Sequence, residues 1–132
     1  MLDIFAQFAT NEAAENDGVF VPFGEAQFLV AREGNRKYVK LLTAAVEKNQ
    51  KLLDAKDDAA SDLSDKIMID VMAKSILLGW EGKVGYKGKL LPYSEANAKM
   101  LLAIKDFRRE VSKMAADIGN FKVEQVKEKE KN

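Results

Sequence analysis

Histidine and cysteine are both absent from this chain of 132 residues. Their absence removes the usual zinc ligands, the imidazole base, the thiolate nucleophile and every disulfide. Catalysis would have to rest on carboxylates, Lys, Tyr or Ser. Nor is there a charge excess of either sign, because 21 basic residues face 21 acidic ones. A uniform basic field for DNA or an anionic membrane is thereby excluded, although a local patch is not. No hydrophobic run approaches the roughly 20 residues of a membrane span. The opening MLDIFAQF carries Asp3 and no positive n-region, so no signal peptide is expected. A soluble protein at home in a reducing cytosol is the expectation.

What is present predicts a mainly α fold. It has a three-helix core, a short N-terminal β-hairpin, and a glycine- and aromatic-rich loop between helices two and three. Residues 1–119 form one globular domain, and residues 120–132 a charged, mobile tail. The β-branched and aromatic stretches VFVP and QFLVA flank Pro22-Phe23-Gly24-Glu25, which reads as a hairpin over 19–32. From Asn35, a plausible N-cap, Tyr38, Leu41, Leu42, Ala45, Leu52 and Leu53 recur at helical spacing, predicting helix one over 36–55. Ser61 or Asp62 would cap helix two over 63–78. Its apolar residues, from Ile67 to Trp80, lie nearly all round the helix and place it centrally. Helix three follows Ser94 and runs over 94–118, from Ala96 to Ile118, before the stop signal Gly119-Asn120.

Between Gly79 and Tyr93 fall the only Trp, two of three Tyr and half of the eight Gly. A phosphate cradle there fails on spacing, since Gly88-Lys89 is followed by Leu90 and not by Ser or Thr. Lys83, Lys87 and Lys89 interleave with Trp80, Tyr86 and Tyr93 in a pattern that suits single-stranded nucleic acid. The balanced charge favours instead aromatics that cover helix ends. Asp54, Asp57, Asp58, Asp62 and Asp65 lack the spacing and central Gly of a calcium loop. Asp106 and Glu110 lie one turn apart, but Arg108 and Arg109 beside them mark an ordinary polar helix face. No catalytic, cofactor or metal residue emerges, and an enzyme is not expected.

Five of seven Phe crowd the first quarter of the chain. Phe20 and Phe28 are expected to pack the hairpin on the helices. Phe23 at the turn, and Phe5 and Phe8 in an apolar N-terminal segment, are candidate contacts for another polypeptide. Trp80, Tyr86 and Tyr93 join them as partner-binding candidates. Met68, Met72, Met100 and Met114 supply adaptable apolar surface, of which at least two residues are expected in the core.

Three stretches then stand in a recognisable order. The first is the hairpin from Gly18-Val19 to Arg32, with FLVAR as its second strand. The second is Asn35-Arg36-Lys37-Tyr38 opening a helix. The third is Leu77-Leu78-Gly79-Trp80 with its glycine-rich loop, then Tyr93-Ser94-Glu95-Ala96-Asn97-Ala98 and Leu101-Leu102. Over about residues 18 to 107 this order resembles the small tail assembly chaperones of long-tailed, lambda-like bacteriophages. The resemblance implies a non-enzymatic protein of the host cytoplasm that binds the tape measure protein and keeps it soluble while the tail tube polymerises. Such a protein is absent from the mature virion. A frameshifted extension recruiting the tail tube subunit often accompanies the family. Self-association through the N-terminal segment would make a homo-oligomer. Two other classes stay open: a structural head–tail or tail component retained in the virion, and a small nucleic-acid-binding regulatory domain.

Overall fold

The computed structural model describes residues 1–123 and Val126. Two short helices open the chain. Asp3 caps α1 (Ile4–Phe8) by accepting the Ala6 N–H at 3.2 Å, and Asn11 caps α2 (Glu12–Asp17) by accepting that of Ala14 at 2.9 Å. Neither helix was expected, because each is too short to show a period. The predicted hairpin is present as β1 (Val19–Phe23) and β2 (Ala26–Val30), joined by Gly24-Glu25. Gly24 has φ +59° at the first central position, the conformation that a two-residue type II′ turn needs.

The next helix prediction divides. Asn35 caps α3 (Arg36–Lys48) as anticipated, but the helix is interrupted at Asn49 and resumes as α4 (Gln50–Asp54). Asn49 Nδ2 donates to the Ala45 carbonyl at 2.8 Å, competing with the backbone for that acceptor. Helix α5 (Asp58–Ser75) begins earlier than predicted because Asp57, not Ser61 or Asp62, accepts the first orphan N–H, that of Ala60. It also ends earlier. Residues Leu77–Gly82 form β3, antiparallel to β2, in a three-stranded sheet of order β1-β2-β3. The apolar pattern through Trp80 was therefore helical only as far as Ser75. Beyond it, the open edge of β2 supplies backbone partners that a continued helix would leave unmet.

The loop that follows holds a second hairpin, β4 (Gly85–Tyr86) with β5 (Lys89–Leu90). Its turn, Lys87-Gly88, has positive φ at both positions, the type I′ signature. Helix three is likewise two helices, α6 (Glu95–Leu102), capped by Ser94, and α7 (Lys105–Ala116). At the break, Arg108 Nη1 donates to the Leu102 carbonyl at 2.8 Å and so replaces the next helical turn.

These findings correct the expected fold class. Among the described residues there are seven α-helices and two sheets, not a mainly α three-helix core with one hairpin. The main core joins sheet to helices through Phe28, Val30, Met72, Ile76, Leu102 and Val111. Met72 and Met114 belong to it, while Met68 and Met100 are half-buried. A smaller cluster gathers Ala14, Val19, Phe121 and Val126. Phe121 is fully buried and Lys122 bridges Thr10, so the tail expected from residue 120 is docked at its start. Apart from Val123 and the buried Val126, the rest of that expectation lies outside the described residues.

Candidate functional site

Strand register decides where the aromatics go. Phe28 stands opposite Val21 on one side and Trp80 on the other, and its ring is buried. Phe20 is paired with Leu29, one residue out of phase, and so lies on the opposite face. The two therefore do not pack the hairpin on the helices together, as expected. Phe28 packs on α7, edge-on to Phe107 at 5.4 Å between centroids.

From Phe28 a chain of rings runs to the surface. Phe23 lies 6.3 Å from it and Trp80 6.1 Å, and Trp80 meets Tyr93 edge-on at 5.1 Å. Trp80 Nε1 donates to the Leu91 carbonyl at 2.9 Å, which fixes the segment after the second hairpin over the sheet. Phe23 and Tyr93 remain exposed at the ends of this ridge. Partial burial pushes the Tyr93 hydroxyl above its ordinary pKa, helped by the Glu95 charge. Tyr86 is half-buried against the same core and carries the Lys87 ammonium 5.3 Å above its ring.

Three of the six candidates, Phe23, Trp80 and Tyr93, thus belong to one ring chain. Leu90, 76 % exposed, and Ile104 are further apolar side chains left open, and neither was singled out from the sequence. Ile104 was read as part of a continuous helical stripe. The break between α6 and α7 turns it outward.

Phe5 and Phe8 form a separate area. They sit on α1 with Ile4, just after Leu2, and all four are exposed, Phe5 at 77 %. No residue of α1 is buried. Beyond Ala9 the chain is held again: the Asn11 N–H donates to the Phe121 carbonyl at 2.8 Å.

Other chemistry has less support. Asp106 is paired with Arg109 and Glu110 with Lys113, each at 3.3 Å, as ordinary surface ion pairs. Among the described residues no group of three or more acidic side chains could hold a metal ion. No helix among them is long and apolar enough to cross a membrane. A cavity of about 660 Å³ opens between α2 and β1, lined by Ala13, Asp17, Phe20, Pro22 and Val126 among others. Among the described residues, Asp17 is the one ionisable side chain in that lining.

No curated protein and no solved structure matches the chain. A family model described as YdaY prophage protein matches residues 33–132, which takes in everything from the start of α3 onward and leaves out α1, α2 and the first hairpin. With most of its length matched, the chain is phage-derived and belongs to the YdaY prophage protein family.

Proposed function

We propose that this prophage protein is a non-enzymatic tail assembly chaperone that binds the tape measure protein and keeps it soluble until tube subunits polymerise around it. The observation that carries the reading is the exposed apolar surface: Leu2 and the α1 residues Ile4, Phe5 and Phe8, then Phe23 and Tyr93 at the ends of the ring chain, with Leu90 and Ile104 also open. Such side chains suit the long amphipathic stretches of a tape measure protein, and many weak copies along one client would act through avidity. Prophage family membership supports a phage origin, and the tail-assembly role rests on the sequence resemblance. The protein would work in the host cytoplasm and leave before the virion is complete. A frameshifted form would recruit the tube subunit.

The test is co-expression with the tape measure protein of the same prophage. The expected result is a soluble complex, with the chain absent from purified particles. Its presence as a stoichiometric virion protein, or a tape measure protein equally soluble without it, would reject the proposal. The double variant Phe5→Ser/Phe8→Ser and the double variant Phe23→Ser/Tyr93→Ser separate the two surfaces. Loss of at least tenfold in client affinity, roughly 1.4 kcal/mol, identifies the one used.

A further inference from the structure

Helices α3 and α4 pack chiefly on α5 and on each other, forming an arm beside the main core. No residue of either helix is buried. In α5, burial is confined to Ala60 until Val71 is reached. Leu41, Leu42, Val46, Leu53, Leu63 and Ile67 are therefore only half-covered, and Val39 and Leu52 are exposed. A helical pair buries one stripe of each partner and leaves the flanks of that stripe wet.

The two sides of the arm carry opposite charge. Residues 36–56 hold six basic side chains against two acidic ones, and residues 57–66 hold four acidic side chains against one basic. Among the described residues two ion pairs involve these segments, and both leave the arm: Arg36 with Glu12 of α2, and Asp65 with Arg108 of α7. Among the described residues, no ion pair joins the basic side to the acidic side. Lys48 and Lys51, and Asp58 and Asp62, are exposed. An apolar seam flanked by unmatched opposite charges is how paired helices select their partners.

We infer that the α3–α5 arm pairs with the arm of a second copy of this chain, forming a four-helix bundle whose two-fold axis runs along the arm. Symmetry fixes that direction. With the axis along the arm, the basic α3–α4 side of one copy faces the acidic start of α5 in the other. With the axis across the arm, basic would face basic and acidic would face acidic. The same arrangement makes helices that meet across the interface antiparallel, as they are within each arm. The inference does not depend on the tail-assembly reading.

The experiment uses the full chain, with sedimentation equilibrium for mass and circular dichroism for fold. The expected species is a dimer of twice the 14.7 kDa monomer. Lys48→Glu/Lys51→Glu and Asp58→Lys/Asp62→Lys should each weaken self-association at least tenfold, and an equimolar mixture should restore the dimer. Because the chain lacks cysteine, Ala55→Cys near the arm's tip is an independent probe. Under oxidation it should form a disulfide-linked dimer. Arms lying antiparallel would hold the two tips apart by about the length of α3, roughly 20 Å at 1.5 Å per residue, and would not cross-link. A monomer at every concentration overturns the inference, and so does a dimer indifferent to charge reversal. Capture of an added amphipathic helical peptide by this arm, in place of a second copy, overturns it as well.

Discussion

Asn35 shows how much one polar side chain can organise. Its Oδ1 accepts the Tyr38 N–H at 3.0 Å, while its Nδ2 donates to the carbonyls of Arg32 and Ser75, each at 2.8 Å. It therefore starts α3 and ties that start to the end of α5. Asn35→Ala removes a cap and strands the buried Ser75 carbonyl, while the Arg32 carbonyl keeps the residue-35 N–H, so a loss of about 2–3 kcal/mol is expected in urea unfolding. A loss below about 0.5 kcal/mol would mean that water replaces those bonds readily. Trp80 makes a narrower contribution. Trp80→Phe keeps the ring contacts with Phe28 and Tyr93 but leaves the Leu91 carbonyl without its donor, at an expected cost of about 1 kcal/mol. Being the only Trp, it also reports unfolding of the wild type by fluorescence.

Among the elements, β3 depends most on a single backbone position. Gly82 has φ +88°, and a Cβ there would lie 2.6 Å from the Glu25 carbonyl oxygen. Gly24, at the first hairpin turn, also has positive φ but faces open space. Gly82→Ala should therefore destabilise more than Gly24→Ala, by at least about 1 kcal/mol, because it adds a backbone clash to the conformational strain. Equal unfolding midpoints for the two variants would show that the β2–β3 edge relaxes at no cost. Lys56 presents the opposite case. It follows α4 with φ +52°, a conformation unfavourable for a Cβ-bearing residue, and Lys56→Gly should gain about 0.5–1 kcal/mol.

For the molecule as a whole, Asp70 is the ionic link between α5 and α6. It accepts from Lys99 at 2.7 Å and from Lys74 at 3.0 Å. The Lys99 hydrogen bond holds its carboxyl below the usual carboxylate value against partial burial, and Lys74 adds to the effect. A lowered folded-state pKa means that the stabilisation is complete above about pH 4 and is lost as the pH falls through the depressed value. Both partners are more than a third exposed, so solvent screening limits the pair. Asp70→Asn should cost about 0.5 kcal/mol at neutral pH, and the difference from wild type should vanish by about pH 2. A difference independent of pH would assign the effect to packing.

Local chemistry carried several features directly to the structure. The β-branched stretches around Gly24, the Asn35 and Ser94 caps and the exclusion of thiol and imidazole chemistry follow from side-chain type and backbone sterics over a few residues. The limits appear where a segment satisfies two patterns at once. Ile76 to Trp80 continues the helical period of α5, but pairing with β2 satisfies more backbone groups and sets Trp80 against Phe28. Ile104 fits an unbroken stripe until Arg108 reaches back to cap α6. The exposure of Phe23 and Tyr93 around one ring chain, and of the half-covered α3–α5 arm, likewise depends on contacts between residues far apart in the chain. Short-range propensity set the vocabulary of elements; competition for backbone partners and for buried area, which exists only once distant segments meet, chose among them.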